Sequence, residues 1–93
     1  MILTKAQEKA TFKTYGLRAK YRVVRKGYSA EAENYLTVTR FDADEYGDII
    51  YVDLGTFSLE RFCDWIKEND LVQIGGTYDF GGHSTWDYNP RDW

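Results

Sequence analysis

Ninety-three residues, 43% of them hydrophobic and 29% charged, supply one core and read as a single domain over 1–93. Mean hydropathy is −0.58, and no apolar run approaches the roughly 18–20 residues of a membrane helix, which argues against a membrane role. The formal charge of −3 hides a split: residues 1–27 hold eight basic residues and one acid, +7, whereas 28–93 hold four basic residues and fourteen acids, −10.

In chain order, Thr4-Lys5-Ala6-Gln7 has the form of a capping box, and Gly16 stands where a helix C-terminal glycine would. A helix over about 4–14 is predicted. Its apolar stripe is thin (Leu3, Ala6, Ala10, Phe12), so it should lie at the periphery with its lysines outward. Residues 18–26 alternate, Ala19, Tyr21 and Val23 to one side and Lys20 and Arg22 to the other, which predicts a strand with a cationic face. Residues 34–41 are rich in β-branched and aromatic side chains and predict a second strand. Residues 48–54 predict a third, with Ile50, Val52 and Leu54 inward. Asp42-Ala-Asp-Glu-Tyr-Gly47 between them has hairpin-turn chemistry.

Ser58 caps an amphipathic helix running from Leu59 to about Asn69. Leu59, Phe62, Cys63 and Ile66 recur at helical spacing, which makes Cys63 a buried structural thiol. Residues 71–74 suggest a short fourth strand. The segment 75–93 differs from the rest: four glycines, the only proline, and the aromatics Tyr78, Phe80, Trp86, Tyr88 and Trp93 interleaved with acids. So aromatic a segment should pack, with Phe80 and Trp86 closing one end of the core and Trp93 the ring least expected inside. The expected fold is α+β: an antiparallel sheet of three to four strands, the 59–69 helix on one face and a peripheral N-terminal helix.

No motif names a reaction. Asp42 to Ile49 resembles the start of a calcium-binding loop, but Tyr46 stands at a ligand position and the flanks read as strands, so an acidic hairpin is the better reading. Asp79, His83 and Asp87 have helical metal-ligand spacing, yet Gly81-Gly82 break the helix they would need. Cys63 with His83 is a thiol–base pair in composition only, since Cys63 falls on the apolar stripe. The glycine pairs lack the lysine and helix of a phosphate loop. The expectation is a non-enzyme without metal or cofactor. A single cysteine and an N-terminus without an apolar core point to the cytoplasm.

Two functions fit the charge pattern. The first is a protein-binding or inhibitory module whose acidic, aromatic surface occupies a basic site on a partner, such as a nucleic-acid-handling complex. Asp44, Glu45, Tyr46, Trp86, Tyr88 and Trp93 are its candidate contacts. The alternative is direct nucleic-acid binding through Lys20, Arg22, Arg25 and Lys26, against which stands a pI near 5.0. A homodimer pairing the basic third with the acidic surface is a third arrangement. In overall character (short, acidic, aromatic) the chain resembles small bacteriophage or mobile-element accessory proteins, some of which inhibit host defence nucleases. That resemblance implies an inhibitor acting by occupancy.

Overall fold

The structure is a computed structural model and describes residues 3–26, 35–78 and 83–93; the side chains of Lys26, Thr77, Tyr78 and His83 are outside the description. The elements are α1 (Lys5–Thr14), β1 (Tyr21–Lys26), β2 (Tyr35–Ala43), β3 (Ile49–Ser58), α2 (Leu59–Glu68), β4 (Leu71–Tyr78) and β5 (His83–Pro90). The strands form one antiparallel sheet of five, in the order β3-β2-β1-β5-β4. The α+β architecture is as expected, but the sheet has one strand more than the upper expectation. The extra strand, β5, comes from the glycine-rich tail. There Trp86 and Tyr88 alternate with Thr85, Asp87 and Asn89, a period of two that the surrounding glycines obscure.

Directly opposed residues of antiparallel strands share a face. Val38, Val23 and Trp86 are opposed across β2, β1 and β5, and one step further Leu36 and Arg25 are opposed across β2 and β1. This face carries the core: Val23, Leu36, Val38, Phe57 and Phe62, with Tyr21, Leu54, Trp65, Ile66, Trp86 and Tyr88 packed around them. Val23 and Val38 are fully enclosed, each burial contributing about 1.5–3 kcal/mol. The core lies over the central strand and its neighbours.

α2 covers it. β3 and β4 are the two edges, so the helix between them must cross the whole face. Its 10 residues span about 15 Å, close to the roughly 19 Å between edge strands of a five-stranded sheet. Ser58 Oγ accepts from Arg61 N at 3.3 Å to start it, and Asp70 ends it at φ 49°, a left-handed conformation that aspartate tolerates. The inward stripe is Phe62, Trp65 and Ile66. Leu59 and Cys63 are exposed, so the expectation of a buried thiol is overturned. Trp65 explains the shift: it stacks edge-on against Tyr21 (5.1 Å) and Phe57 (5.5 Å) and turns the helix to bring itself inward.

β3 also differs from expectation. It continues to Ser58, and its buried residue is Phe57; Ile50 is 45% exposed and Val52 half-buried. The register slips between Val38 and Thr39, where Leu54 is the extra residue and Gly55 takes φ +95°. The slip turns the far half of the strand, so alternation counted from Ile50 does not carry through to Phe57.

α1 lies at the end of the sheet where β1 begins. Its capping box is complete, with Thr4 Oγ1 accepting from Gln7 N (3.2 Å) and Gln7 Oε1 from Thr4 N (2.9 Å). At the other end Leu17 N donates to Phe12 O (2.8 Å) and Gly16 N to Lys13 O (3.1 Å), with Gly16 at φ +73°, the paired bonds of a Schellman motif. Phe12 alone of its residues is buried. Phe12 meets Trp93 at 5.4 Å, so the ring least expected inside is packed. Phe80 lies outside the described residues.

Candidate functional site

The β2–β3 hairpin builds the most exposed aromatic surface. Asp44 Oδ1 accepts from Tyr46 N (3.0 Å) and Asp48 N (2.9 Å), and Asp44 N donates to Asp48 O (2.9 Å). Gly47 supplies the required positive φ of 83°. The turn is therefore held by its own carboxylate, and it projects Tyr46, 82% exposed. Tyr51 (70% exposed) and Ile50 flank it on β3. The Tyr15 hydroxyl donates to Asp48 Oδ1 at 3.1 Å and ties α1 to the hairpin. That bond to Asp48, then burial and the charges of Asp48 and Asp44, raise the Tyr15 pKa.

Behind the turn lies a cleft of about 450 Å³ lined by Leu3, Glu8, Lys20, Asp42, Ala43, Asp44, Glu45 and Tyr46. Lys20 bonds Glu8 and, at 2.8 Å, Asp42 Oδ1; Arg40 Nε reaches Asp42 Oδ2 at 3.0 Å. Burial pushes the Asp42 carboxyl up, but the bonds and charges of Lys20 and Arg40 outweigh it and hold its pKa below the usual carboxylate range. The loop that resembles a calcium site is a strand-flanked hairpin, and its carboxylates accept from protein donors.

Several cations of the basic third have acid partners. β1 lies between β2 and β5, and of the cations at its start Lys20 meets Asp42 of β2 and Arg22 meets Asp87 of β5. Arg22 Nε bonds Asp87 Oδ1 at 3.3 Å and its guanidinium lies 5.8 Å from the centre of the Phe41 ring. Lys5 bonds Asp92, and Lys9 the Trp93 main-chain oxygen. Folding thus pairs Lys5, Lys20 and Arg22 of the basic third with acids.

The nominated residues fall into separate places. Asp44, Glu45 and Tyr46 come together at the hairpin, with Lys20 at the base of their cleft. Trp86 and Tyr88 pack on the α2 face beside Arg25, in a second cavity of about 220 Å³ with Leu36, Leu59, Phe62 and Gln73. Burial, and then the nearby Cys63, raise the Tyr88 pKa. Trp93 belongs to the α1 end. The Lys26 side chain, and with Asp79 and His83 most of the metal-spaced trio, lie outside the described residues. Lys20 and Arg25 stand five positions apart on the chain, about 17 Å along a strand, so hairpin and cavity are at opposite ends of the sheet. Sequence reasoning overlooked Tyr51, whose outward place in the alternation of 48–54 was the available signal.

None of the described helices is long and apolar enough to cross a membrane. No protein-family model matches the chain, and no curated protein or solved structure is significantly similar to it.

Proposed function

We propose that this is a small non-catalytic binding protein that occupies a basic partner surface with the acidic, tyrosine-bearing corner of its β2–β3 hairpin. The observation that carries the reading is Tyr46, 82% exposed on a turn whose backbone is fixed by Asp44. A ring presented by a pre-ordered turn and rimmed by carboxylates has the composition of a binding hot spot. Carboxylates compete for the same lysines and arginines as phosphates, so a nucleic-acid-handling protein is the partner of matching chemistry. An inhibitor of a host defence nuclease, of phage or mobile-element origin, is the most specific form of this reading. The internal pairing of Lys20 and Arg22 favours it over direct nucleic-acid binding.

The test is capture from host lysate on immobilised protein, with and without nuclease. The expected result is nuclease-resistant recovery of one basic protein. Against that partner, Asp44→Lys with Glu45→Lys should slow association most at low salt, and Tyr46→Ala should speed dissociation by about tenfold. Recovery of nucleic acid alone, abolished by Arg25→Glu with Lys26→Glu in a folded protein, would reverse the ranking.

A further inference from the structure

The cavity on the α2 face has features of a ligand site that the hairpin reading does not use. Its walls are Leu36 of β2, Leu59 and Phe62 of α2, Trp86 and Tyr88 of β5, and the neutral polar side chain Gln73 of β4. Into this apolar setting β1 places Arg25, half-buried and opposed to Leu36 in register. Arg22, three residues earlier and on the other face, is bonded to Asp87; Arg25 has no carboxylate partner among the described residues. A guanidinium in a partly desolvated apolar site gains most from an anion that accepts two parallel hydrogen bonds. Leu59 is the first residue of α2, so the positive end of the helix dipole adds to the same field.

We infer that this cavity binds a small organic carboxylate with an aromatic or branched apolar body, the carboxylate on Arg25 and the body against Phe62, Trp86 and Tyr88. The size follows from the volume. About 220 Å³ holds roughly seven waters at about 30 Å³ each, below the range for drug-sized ligands, which suits about ten non-hydrogen atoms. Trp86 is held by a close approach: a Cβ on Gly76 would lie 2.8 Å from Trp86 Cδ1, so glycine there makes room for the indole beside β4. Charge complementarity selects the ligand, because a neutral body of the same shape offers Arg25 no carboxylate, and none of the described residues supplies one.

Phenylacetate and its neutral isostere phenylacetamide are the probes, followed by nuclear magnetic resonance at the Trp86 indole N–H and the Arg25 Nε–H of the whole chain. Phenylacetate should shift both signals, with an affinity at least about tenfold above that of the amide. Arg25→Gln should abolish that preference while the spectrum stays folded. Leu59→Trp, at an exposed position, should fill the mouth and weaken both probes. Equal affinities for the two probes, shifts confined to other basic residues, or no saturable shift by phenylacetate would each overturn the assignment.

Discussion

Trp65 and Trp93 each anchor a helix to the sheet, and their surroundings differ. Trp65 rests on Tyr21, Phe57 and Phe62, and Arg61 lies 4.6 Å from the centre of the Phe57 ring. Trp93 rests on Phe12 alone among the described rings, with Lys9 and Lys20 each 5.7 Å from its centre. Around Lys20 are Glu8, Asp42 and Asn89, whose Oδ1 accepts from Lys20 N at 2.6 Å and whose Nδ2 donates to Arg18 O at 3.0 Å. α2 brings a full apolar stripe and seals its region with hydrocarbon. α1 brings one buried ring, and the deficit is made up by ion pairs and cation–π contacts. Helices of equal length can thus be held by different physics, and the amphipathic stripe decides which.

That contrast is open to test. The largest effect is expected from Phe62→Ala, which removes a 7%-exposed ring from between Trp65 and Tyr88. It should cost about 3–5 kcal/mol in urea denaturation, much of the stability of so small a protein. A loss below about 1 kcal/mol would mean that the α2 side is not the principal core.

Next comes Lys20→Met, which keeps the hydrocarbon stem and removes the charge. The Lys20, Glu8 and Asp42 side chains are 14%, 17% and 29% exposed, so two carboxylates would be left poorly solvated. About 2–3 kcal/mol of destabilisation is expected, partly recovered when Glu8→Gln is added. A purely additive double mutant would show that the pair is not coupled.

Trp93→Ala should cost less, about 1–2 kcal/mol by thermal melting, because the ring is only half-buried. It should also weaken the hold on α1, measured as faster amide exchange over Lys5–Thr14 than over Leu59–Glu68. Equal exchange in the two helices would erase the distinction between the regions.

The smallest effect concerns pH. The folded-state pKa of Asp42 is depressed, so its contribution is present above the ordinary aspartate value of about 3.9 and is lost as pH falls through the folded value. Stability measured from pH 5 downward should therefore decline near and below about pH 4, and less steeply in Asp42→Asn. An identical slope in the variant would place the acid-sensitive charge elsewhere.

Local signals were legible in the residues themselves. Both helix starts, the Gly16 ending, the Asp44 turn and the two faces of β1 follow from chemistry within a few positions. What escaped depends on distant partners. β5 was hidden because its glycine-rich flanks read as loop, and its place beside β1 is a contact between residues 65 positions apart, as in Arg22–Asp87. The stripe of α2 was misjudged by one position, since a count of apolar spacing does not weigh the area of Trp65 against that of Leu59 and Cys63. The hairpin residues Asp44, Glu45 and Tyr46 could be grouped from sequence because they are neighbours. Trp86, Tyr88 and Trp93 could not be placed relative to them, because the sheet carries them to other regions.

The strand order has a consequence for how the protein is made. β1 is the centre of the sheet, yet one of its neighbours is synthesised early and the other only after β2, β3, α2 and β4. During translation the β1–β2–β3 meander can form first, leaving the outer edge of β1 with unpaired peptide groups while the Arg22 side chain awaits Asp87. The nascent chain passes through a half-finished sheet, and the strand that arrives last both completes the ladder and brings Asp87 to Arg22.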